Sequence, residues 1–183
     1  MKNAPAGWKV KSSKKVYDNF YLKVYEDVLD LAGKGKLYIR ARRPDYSTIV
    51  PFSQDGRILT IKSYRHLVYS WQVEVPSGYV NSGETARHAA IRELQEETGY
   101  RANKVVHVGS YTLDYSMFAQ TGNVFAAYGI EKSGRQKLGR MEKIELKFVP
   151  IEKIKTMLLK GKILNAASIV ALYQAIHHRE SGK

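Results

Sequence analysis

The sequence predicts a single α/β domain. Of its 183 residues, 44% are hydrophobic and 26% are charged, proportions that are typical of soluble globular proteins. Strand-like and helix-like segments alternate along the chain, and no shift in composition divides it. No apolar run is long enough to span a membrane, and the first residues lack the apolar core of a signal peptide. Cysteine is absent, which excludes disulfides and thiolate metal sites and favours a cytoplasmic location.

The first half of the chain predicts strands, because β-branched and aromatic residues dominate it with rough alternation. A turn is predicted at residues 33–35, where two glycines flank a lysine. A second turn is predicted at Asp55-Gly56, a pair typical of tight hairpins. The predicted strands cover residues 16–28, 37–42, 47–52, 57–64 and 71–75.

A helix is predicted over residues 85–98, with Ala86, Ala89, Ala90 and Leu94 on its inner side. Gly99 stands where a helix-terminating glycine belongs. Strands then resume and two helices follow. The predicted strands cover residues 105–113, 123–130 and 144–150, and the predicted helices cover residues 151–160 and about 166–177.

The net charge of +13 is unevenly distributed. Residues 1–43 carry +7 and residues 131–162 carry +6, whereas residues 44–130 between them carry −1. A basic surface attracts nucleic acid through its phosphates, and it equally attracts small polyanions such as nucleotides. A solvated, lysine-rich surface gives the same composition, so charge alone does not identify a partner.

Three carboxylates are clustered within the predicted helix. Glu93, Glu96 and Glu97 stand at positions i, i+3 and i+4, and therefore on one helical face. Like charges at this spacing weaken an isolated helix by ~0.2–0.5 kcal/mol per pair. Three carboxylates on a rigid element suit Mg²⁺ or Mn²⁺, especially where substrate phosphates complete the coordination. On these residues alone, a solvated acidic face is the stronger interpretation.

The surrounding residues resemble the signature of the Nudix hydrolases, G-x5-E-x7-R-E-U-x-E-E-x-G-U, in which U is bulky and apolar. The match runs without a gap, and only its last position, a tyrosine, is a mild variation. The matching residues are Gly78, Glu84, Arg92, Glu93, Leu94, Glu96, Glu97, Gly99 and Tyr100. A match of this length is specific, although a motif remains a hypothesis until its structural context is known.

Looser matches outside the signature are similar to the ADP-ribose pyrophosphatase branch of this family. They include residues 71–78, 148–150 and 161–168. The resemblance implies an α/β/α sandwich around a mixed β-sheet with an N-terminal strand-rich segment. We therefore expect one Nudix domain over residues 1–183, with N-terminal strands in about 1–43 and a catalytic core in about 44–183.

The resemblance implies a metal site on the predicted helix. Glu93 and Glu97 are the implied ligands of Mg²⁺, for which Mn²⁺ is a possible substitute. Glu96 is implied as a third ligand or bridge, and the backbone carbonyl of Ser77 as a further ligand. These residues are also the implied catalytic group, because metal ions polarise a diphosphate and activate a water molecule.

The resemblance also implies supporting and substrate-binding roles. Arg92 is expected to pair with Glu84 and orient the carboxylates, the alternative being an ordinary surface ion pair. Gly78 is expected in a backbone turn where a side chain would obstruct the site. Arg65 is expected to hold a terminal phosphate, with a structural salt bridge to Glu74 as an equal alternative.

Two departures from the branch affect the substrate and the catalytic base. Tyr115 stands where the branch usually has a proline. A tyrosine at this position resembles the pattern of Nudix enzymes that act on dinucleoside polyphosphates. Residues 139–145, where the branch has an acidic loop, include the basic residues Arg140 and Lys143. Glu142 is the favoured catalytic base, because Glu145 opens an alternating strand on its solvent side. The remaining candidates for the base are Glu145, Glu96 and a hydroxide bound to the metal ion.

We therefore expect Mg²⁺-dependent hydrolysis of a nucleoside diphosphate derivative, ADP-ribose or a related nucleotide sugar first, giving two phosphomonoesters. The alternatives are a dinucleoside polyphosphate or RNA-end pyrophosphohydrolase, and a non-catalytic nucleotide-sugar-binding regulatory module. Neither a membrane nor nucleic acid is the expected partner.

The branch commonly forms dimers with exchanged N-terminal strands, so a homodimer is expected. Four N-terminal aromatic residues are expected to pack in a core more readily than to stack on a purine: Trp8, Tyr17, Phe20 and Tyr21.

Overall fold

The computed structural model describes residues 7–182. Residues 1–6 and Lys183, which the predicted domain includes, lie outside the described residues. The chain forms two compact units. The first comprises the residues up to Pro44 together with Thr112–Gln120, and the second comprises Asp45–Tyr111 and the residues from Thr121 onward. The organisation as one functional domain stays a prediction.

Strands and helices alternate in the order that the sequence indicates. The strands are β1 (Trp8–Asp18), β2 (Lys23–Leu31), β3 (Lys34–Arg42), β4 (Tyr46–Pro51), β5 (Ile58–Arg65), β6 (Ser70–Glu74), β7 (Ser77–Tyr79), β8 (Tyr100–Tyr111), β9 (Phe118–Ala119), β10 (Gly122–Lys132) and β11 (Ile144–Val149). The helices are α1 (Ala86–Thr98), α2 (Ile151–Leu159) and α3 (Ala166–Glu180). No helix within residues 7–182 has the length and apolar character needed to cross a membrane.

The first unit is a four-stranded sheet in the order β1-β2-β3-β9. The prediction of one strand over residues 16–28 is wrong, because a turn separates β1 from β2. The Asn19 side-chain oxygen accepts the backbone N–H groups of Tyr21 and Leu22, at 2.9 and 2.7 Å, and so closes this turn.

The expectation of core packing for the N-terminal aromatic residues is also wrong. Every residue of β1 is exposed, and the four aromatic side chains have more than half of their surface in solvent: Trp8, Tyr17, Phe20 and Tyr21. The sheet itself is held partly by an ion pair between Arg40 and Asp27, whose Nε and Oδ2 atoms lie 2.5 Å apart.

The second unit contains a mixed sheet in the order β7-β4-β10-β8, in which β4 and β10 are parallel. A separate antiparallel sheet has the order β11-β5-β6. One face of the mixed sheet packs against α1, where Ala90 and Leu94 meet Phe125. Ile154 of α2 and Leu172 of α3 contribute to the cluster that contains Val124 and Ala126, on the other face. This arrangement is an α/β/α sandwich, and it confirms the predicted fold class.

The predicted hairpin around Asp55-Gly56 is only partly correct. The turn is present, since Gly56 has a φ of 84° and Ser53 accepts its N–H at 3.0 Å. The flanking strands, however, pair only through an isolated bridge between Phe52 and Ile58. Beyond that bridge β4 enters the mixed sheet and β5 enters the antiparallel sheet.

Helix α1 positions the acidic residues. Its N-terminus is capped by Thr85, whose side-chain oxygen accepts the N–H of His88 at 3.2 Å, a standard way to satisfy the first free donors of a helix. Of its predicted inner residues, Ala89, Ala90 and Leu94 are fully buried, whereas Ala86 is only half-buried. It ends at Gly99, which has a φ of 71°, as predicted for a left-handed terminating residue.

Candidate active site

Glu97 is the most buried of the three glutamates, with 6% of its surface exposed. It lies in the last turn of α1, where one of its carboxylate oxygens accepts the backbone N–H of Ser77 at 3.0 Å. Burial raises the pKa of Glu97 well above its usual range, and the nearby charge of Glu93 raises it further. The charged form of Glu97 therefore requires a compensating cation nearby.

Glu93 lies directly against the backbone of Gly78. A Cβ atom at Gly78 would stand 1.9 Å from one carboxylate oxygen of Glu93 and 2.3 Å from its carboxyl carbon. This close approach is possible only for glycine, which explains the residue type in physical terms. Burial raises the pKa of Glu93, although contacts with Arg92 act in the opposite direction.

Arg92 joins the acidic residues into one network. Its guanidinium donates to both oxygens of Glu84, at 2.9 and 3.1 Å, so the predicted pair is present. It also donates to Glu93 at 2.6 Å, to Glu96 at 3.1 Å and to the carbonyl of Tyr79 at 2.9 Å. These bonds raise the pKa of Arg92, with those to Glu84 the largest cause. Arg92 therefore holds the carboxylates of Glu93 and Glu96 and offsets part of their charge.

Arg65 forms the salt bridge that the sequence left as an alternative. Its Nε donates to Glu74 at 2.9 Å and its Nη2 donates to the second oxygen of the same carboxylate. Glu74 is buried, whereas 43% of the Arg65 side chain is exposed. The charge of Arg65 also lowers the pKa of Glu97. Phosphate binding by Arg65 and a substrate role for Glu74 stay predictions.

The charge of Glu142 contributes to raising the pKa of both Glu93 and Glu97. Its carboxylate currently accepts the backbone N–H of Gly139 at 2.6 Å, within its own loop. Glu145 differs, since it is exposed and pairs across the sheet with Lys62 at 3.2 Å. Of the two loop candidates, Glu142 is therefore the one whose charge affects the pKa of the helix carboxylates, and its role as the base stays a prediction.

Tyr115 belongs to the first unit, unlike the other predicted site residues. Its side chain is 90% exposed, in a loop where Asp114 accepts the N–H of Ser116 at 2.7 Å. Nearby Gln120 is buried and donates to the carbonyl of Pro44 at 2.6 Å, which is a structural role. Substrate binding by Tyr115 stays a prediction.

The donor atoms suit a hard divalent cation. Glu93 and Glu97 offer carboxylate oxygens beside the Ser77–Gly78 backbone, and burial disfavours their charge unless a cation is near. Oxygen ligands of this kind are those that Mg²⁺ and Mn²⁺ prefer. Within residues 7–182, however, no group of three or more acidic or histidine side chains is already arranged to hold a metal ion. Arg92 draws Glu96 toward itself, so a three-glutamate site requires movement of side chains.

A cavity of about 330 Å³ opens on the outer side of α1. Its lining includes the cationic groups of Arg92 and Lys137 and the carboxylates of Glu84 and Glu96. Both signs of charge therefore meet beside the acidic face of the helix. Such a lining suits a polar occupant such as a phosphate accompanied by a cation.

The sequence did not indicate the segment that holds the C-terminal end of α1. Gln136 donates its side-chain amide to the carbonyl of Glu97 at 2.7 Å, and Lys132 donates to the carbonyl of Thr98 at 3.0 Å. The one available signal is that the last turn of α1 has no basic residue of its own, which is an unusual choice for a helix C-terminus.

Comparison with known proteins identifies the family. The Nudix domain profile matches residues 42–172, which include α1, the acidic residues and the loop with Glu142. The chain belongs to the Nudix family. Nudix hydrolases act on nucleoside diphosphate derivatives and use divalent metal ions.

Individual relatives agree with this assignment. An ADP-ribose pyrophosphatase from Bacillus subtilis is 25% identical over 148 residues, covering 80% of each chain. A CMP-5'-(N-acetyl-N-hydroxy-3-aminopropyl)phosphonate hydrolase from Streptomyces rubellomurinus is 26% identical over 168 residues, covering 90% of this chain and 80% of the relative. The crystal structure of an ADP compounds hydrolase superimposes with a TM-score of 0.85 at 21% identity, covering 98% of both chains. The identification as a Nudix pyrophosphohydrolase similar to ADP-ribose pyrophosphatases is thereby confirmed.

Proposed function

We propose that this protein hydrolyses the pyrophosphate bond of a nucleoside diphosphate linked to another moiety, with ADP-ribose or a related nucleotide sugar as substrate and two phosphomonoesters as products. The observation that carries this proposal is that the buried Glu97 and the half-buried Glu93 both lie against the Ser77–Gly78 backbone, with Arg92 bound to Glu93. The names of two relatives support it, since each describes a nucleotide joined to a second group.

The proposed cofactor is Mg²⁺, with Mn²⁺ as a substitute. Glu93 and Glu97 would hold it, together with Glu96 and the carbonyl oxygen of Ser77. When bound, the ion polarises the diphosphate and assists ionisation of the attacking water. Arg92 retains its bonds to Glu84 throughout and so keeps the helix carboxylates aligned.

Glu142 is the proposed general base. The oxygen of water bonds to phosphorus, Glu142 takes the water proton, and the bridging P–O bond breaks with its electron pair leaving on the second phosphate. For this step the Glu142 carboxylate must leave the N–H of Gly139, which it now accepts. Closure of the loop over bound substrate supplies that movement. Arg65 is proposed to hold the terminal phosphate through the exposed part of its guanidinium.

A panel of diphosphate substrates assayed with Mg²⁺ tests the proposal. The panel contains ADP-ribose, other nucleotide sugars, a dinucleoside polyphosphate and a 5'-triphosphorylated RNA, with products identified by chromatography. We expect ADP-ribose to give AMP and ribose 5-phosphate faster than the other compounds react. Failure to cleave any diphosphate would refute the catalytic proposal and favour a nucleotide-sugar-binding regulatory module.

One observation favours a second substrate class. The exposed Tyr115 side chain is available to stack on a base, as in enzymes for dinucleoside polyphosphates. Preferential cleavage of the dinucleoside polyphosphate, lost in Tyr115→Ala, would select this alternative. The RNA-end alternative rests on the charge of +13, and it requires that turnover of the RNA fall steeply with salt.

We also propose a cytoplasmic homodimer. Strand β1 leaves all of its residues in solvent, including Trp8 and Tyr17, and exposed apolar surface of this kind is typical of an interface. A second copy of the chain is the proposed occupant. Light scattering should give twice the mass of 20.8 kDa; the mass of a single chain would refute the dimer.

A further inference from the structure

The C-terminal end of α1 is held by a single segment, residues 132–137. A helix leaves its last carbonyl groups without partners inside the helix. Here they are satisfied from outside, apart from the Gln95 carbonyl, which Gly99 N–H reaches at 2.8 Å. The pairs are Lys137 N–H to Glu96 O at 2.7 Å, Gln136 Nε2 to Glu97 O at 2.7 Å, Lys132 Nζ to Thr98 O at 3.0 Å, Ser133 N–H to Gly99 O at 2.9 Å and Gly134 N–H to Gly99 O at 3.1 Å.

The charge of this helix end makes the outside donors necessary. The C-terminus of a helix carries partial negative charge, so cations stabilise it and carboxylates destabilise it. Glu96 and Glu97 stand in the last turn of α1, and that turn contains no basic residue. The ammonium group of Lys132 supplies the missing positive charge. It is held in place from a second side, since it also lies 4.9 Å from the centroid of the Tyr100 ring.

The segment packs too closely on the helix end to slide along it. A Cβ atom at Gly99 would lie 2.5 Å from the carbonyl oxygen of Gly134 and 3.1 Å from the carbonyl carbon of Arg135. The positive φ of Gly99 adds a second reason why no side chain is tolerated there. The register between the segment and the last turn of α1 is therefore fixed.

The same segment leads directly into the loop that carries Glu142. Gln136 contacts the carbonyl of Glu97, and the chain reaches Glu142 within the following six residues. The far side of the loop is attached to the antiparallel sheet, where the N–H of Tyr64 reaches the carbonyl of Lys143 at 3.3 Å. The proposed metal ligands and the proposed base therefore share one mechanical support.

We propose that Lys132 and Gln136 are positioning residues, which hold the last turn of α1 and the base of the Glu142 loop in a fixed relation through the carbonyls of Thr98 and Glu97. This inference rests on the proposed function. Neither side chain touches the substrate or the metal in this role. Their effect is on the placement of Glu97 and Glu142.

The test uses variants that remove only the donors. Lys132→Met and Gln136→Met keep side-chain length, whereas Lys132→Arg keeps both the charge and a donor. Arg135→Met is the matched control, because it removes the same charge from the same segment. Among the described residues, no carbonyl of α1 accepts a hydrogen bond from the Arg135 side chain.

Three measurements are made on each full-length variant. The first is the melting temperature without metal, and the second is the dissociation constant for Mn²⁺, obtained from the electron paramagnetic resonance signal of the free ion. The third is kcat and KM for ADP-ribose with Mg²⁺. We expect Lys132→Met and Gln136→Met to melt cooperatively, to weaken Mn²⁺ binding and to lower kcat by ~10-fold, the usual size of an outer-ligand effect, with KM changed less than about twofold. Lys132→Arg should recover most of the loss, and Arg135→Met should match the wild type.

Three results would overturn the inference. The first is unchanged Mn²⁺ binding and kcat in both Lys132→Met and Gln136→Met. The second is a Lys132→Arg protein that is as impaired as Lys132→Met. The third is loss of cooperative melting in both methionine variants, which would show that these contacts serve the fold. Mn²⁺ binding needs no substrate, so failure of the proposed function is distinguishable. A wild type that cleaves nothing, with variants that bind Mn²⁺ more weakly, would refute the function and keep the positioning role.

Discussion

Gly78→Ala places a methyl group where the carboxylate of Glu93 lies. The new Cβ would stand 1.9 Å from a carboxylate oxygen, and ordinary contact begins at 3.4 Å, so the carboxylate must move by about 1.5 Å. Glu93 cannot move freely, because Arg92 holds it at 2.6 Å. A misplacement of ~1 Å in a reacting group costs about 100-fold in rate. We therefore expect kcat to fall by about 100-fold.

The stability change of Gly78→Ala should be smaller than its catalytic change. Overpacking costs ~1–3 kcal/mol, and the loss of a glycine from the unfolded chain returns ~0.4–1 kcal/mol. The difference, about 1–2 kcal/mol, corresponds to about 2–8 °C in Tm for a chain of this size. Gly35→Ala is the matched control, since its Cβ would meet only a Val28 methyl at an ordinary 3.9 Å.

The assay compares kcat with saturating ADP-ribose and Mg²⁺ and the melting temperature without metal for the two alanine variants and the wild type. A Gly78→Ala protein with kcat within threefold of the wild type would refute the reasoning, because it would show that Glu93 need not rest on this backbone. An equal loss in Gly35→Ala would show that the effect is not specific to the site.

Two further predictions concern the carboxylates. Glu142→Gln should lower kcat by about 100-fold or more, the scale of general-base catalysis, while Glu145→Gln should change it little; equal effects in the two would contradict the assignment. The pH dependence of stability should also report on the site. Burial raises the folded-state pKa of Glu97 and Glu93, so the folded protein holds these protons more tightly than the unfolded chain does. The melting temperature without metal should therefore fall as pH rises from ~4.5, the ordinary range of glutamate, through the raised pKa. The increase in melting temperature on adding Mg²⁺ should grow over the same pH interval, and the melting temperature of Glu97→Gln should depend less on pH. A metal-free melting temperature that rises over this interval by the same amount in the wild type and in Glu97→Gln would contradict the prediction.

The central helix could be predicted from sequence because its signals are local. The burial of Ala89, Ala90 and Leu94 follows from helical spacing, and Gly99 follows from the need for a left-handed residue at the helix end. The contacts of Arg92 with Glu84 connect residues eight positions apart, so the matching motif was enough to indicate the pair.

Other parts of the fold depend on contacts between distant residues. Strand β4 is buried along most of its length. Its sequence does not distinguish pairing with β5 from parallel pairing with β10, where Ile49 pairs with Phe125. The aromatic residues of β1 favour strand geometry whether buried or exposed, so Trp8 and Tyr17 gave no signal of their exposure. The turn that Asn19 closes was not predicted, because the alternation of residues continues through it.

The acidic residues of the site were predicted from the sequence, whereas the residues that hold the end of α1 were not. Glu93, Glu96 and Glu97 share a spacing, whereas Lys132 and Gln136 reach backbone carbonyls more than 30 positions away. Every residue has a backbone carbonyl, so no pattern in the sequence indicates which side chain will donate to a given one. The bond between Arg92 and Glu96 likewise depends on geometry that the motif does not contain.

The turnover of ADP-ribose by Glu97→Gln tests most directly the claim that the buried helix carboxylates hold a catalytic divalent cation. The substitution keeps the shape of the side chain and removes one charge, so the metal-free melting temperature should stay the same or rise slightly. We expect kcat with Mg²⁺ to fall by about 100-fold or more, because several kcal/mol of transition-state stabilisation depend on the ion. A folded Glu97→Gln protein with activity within a few fold of the wild type would contradict the account.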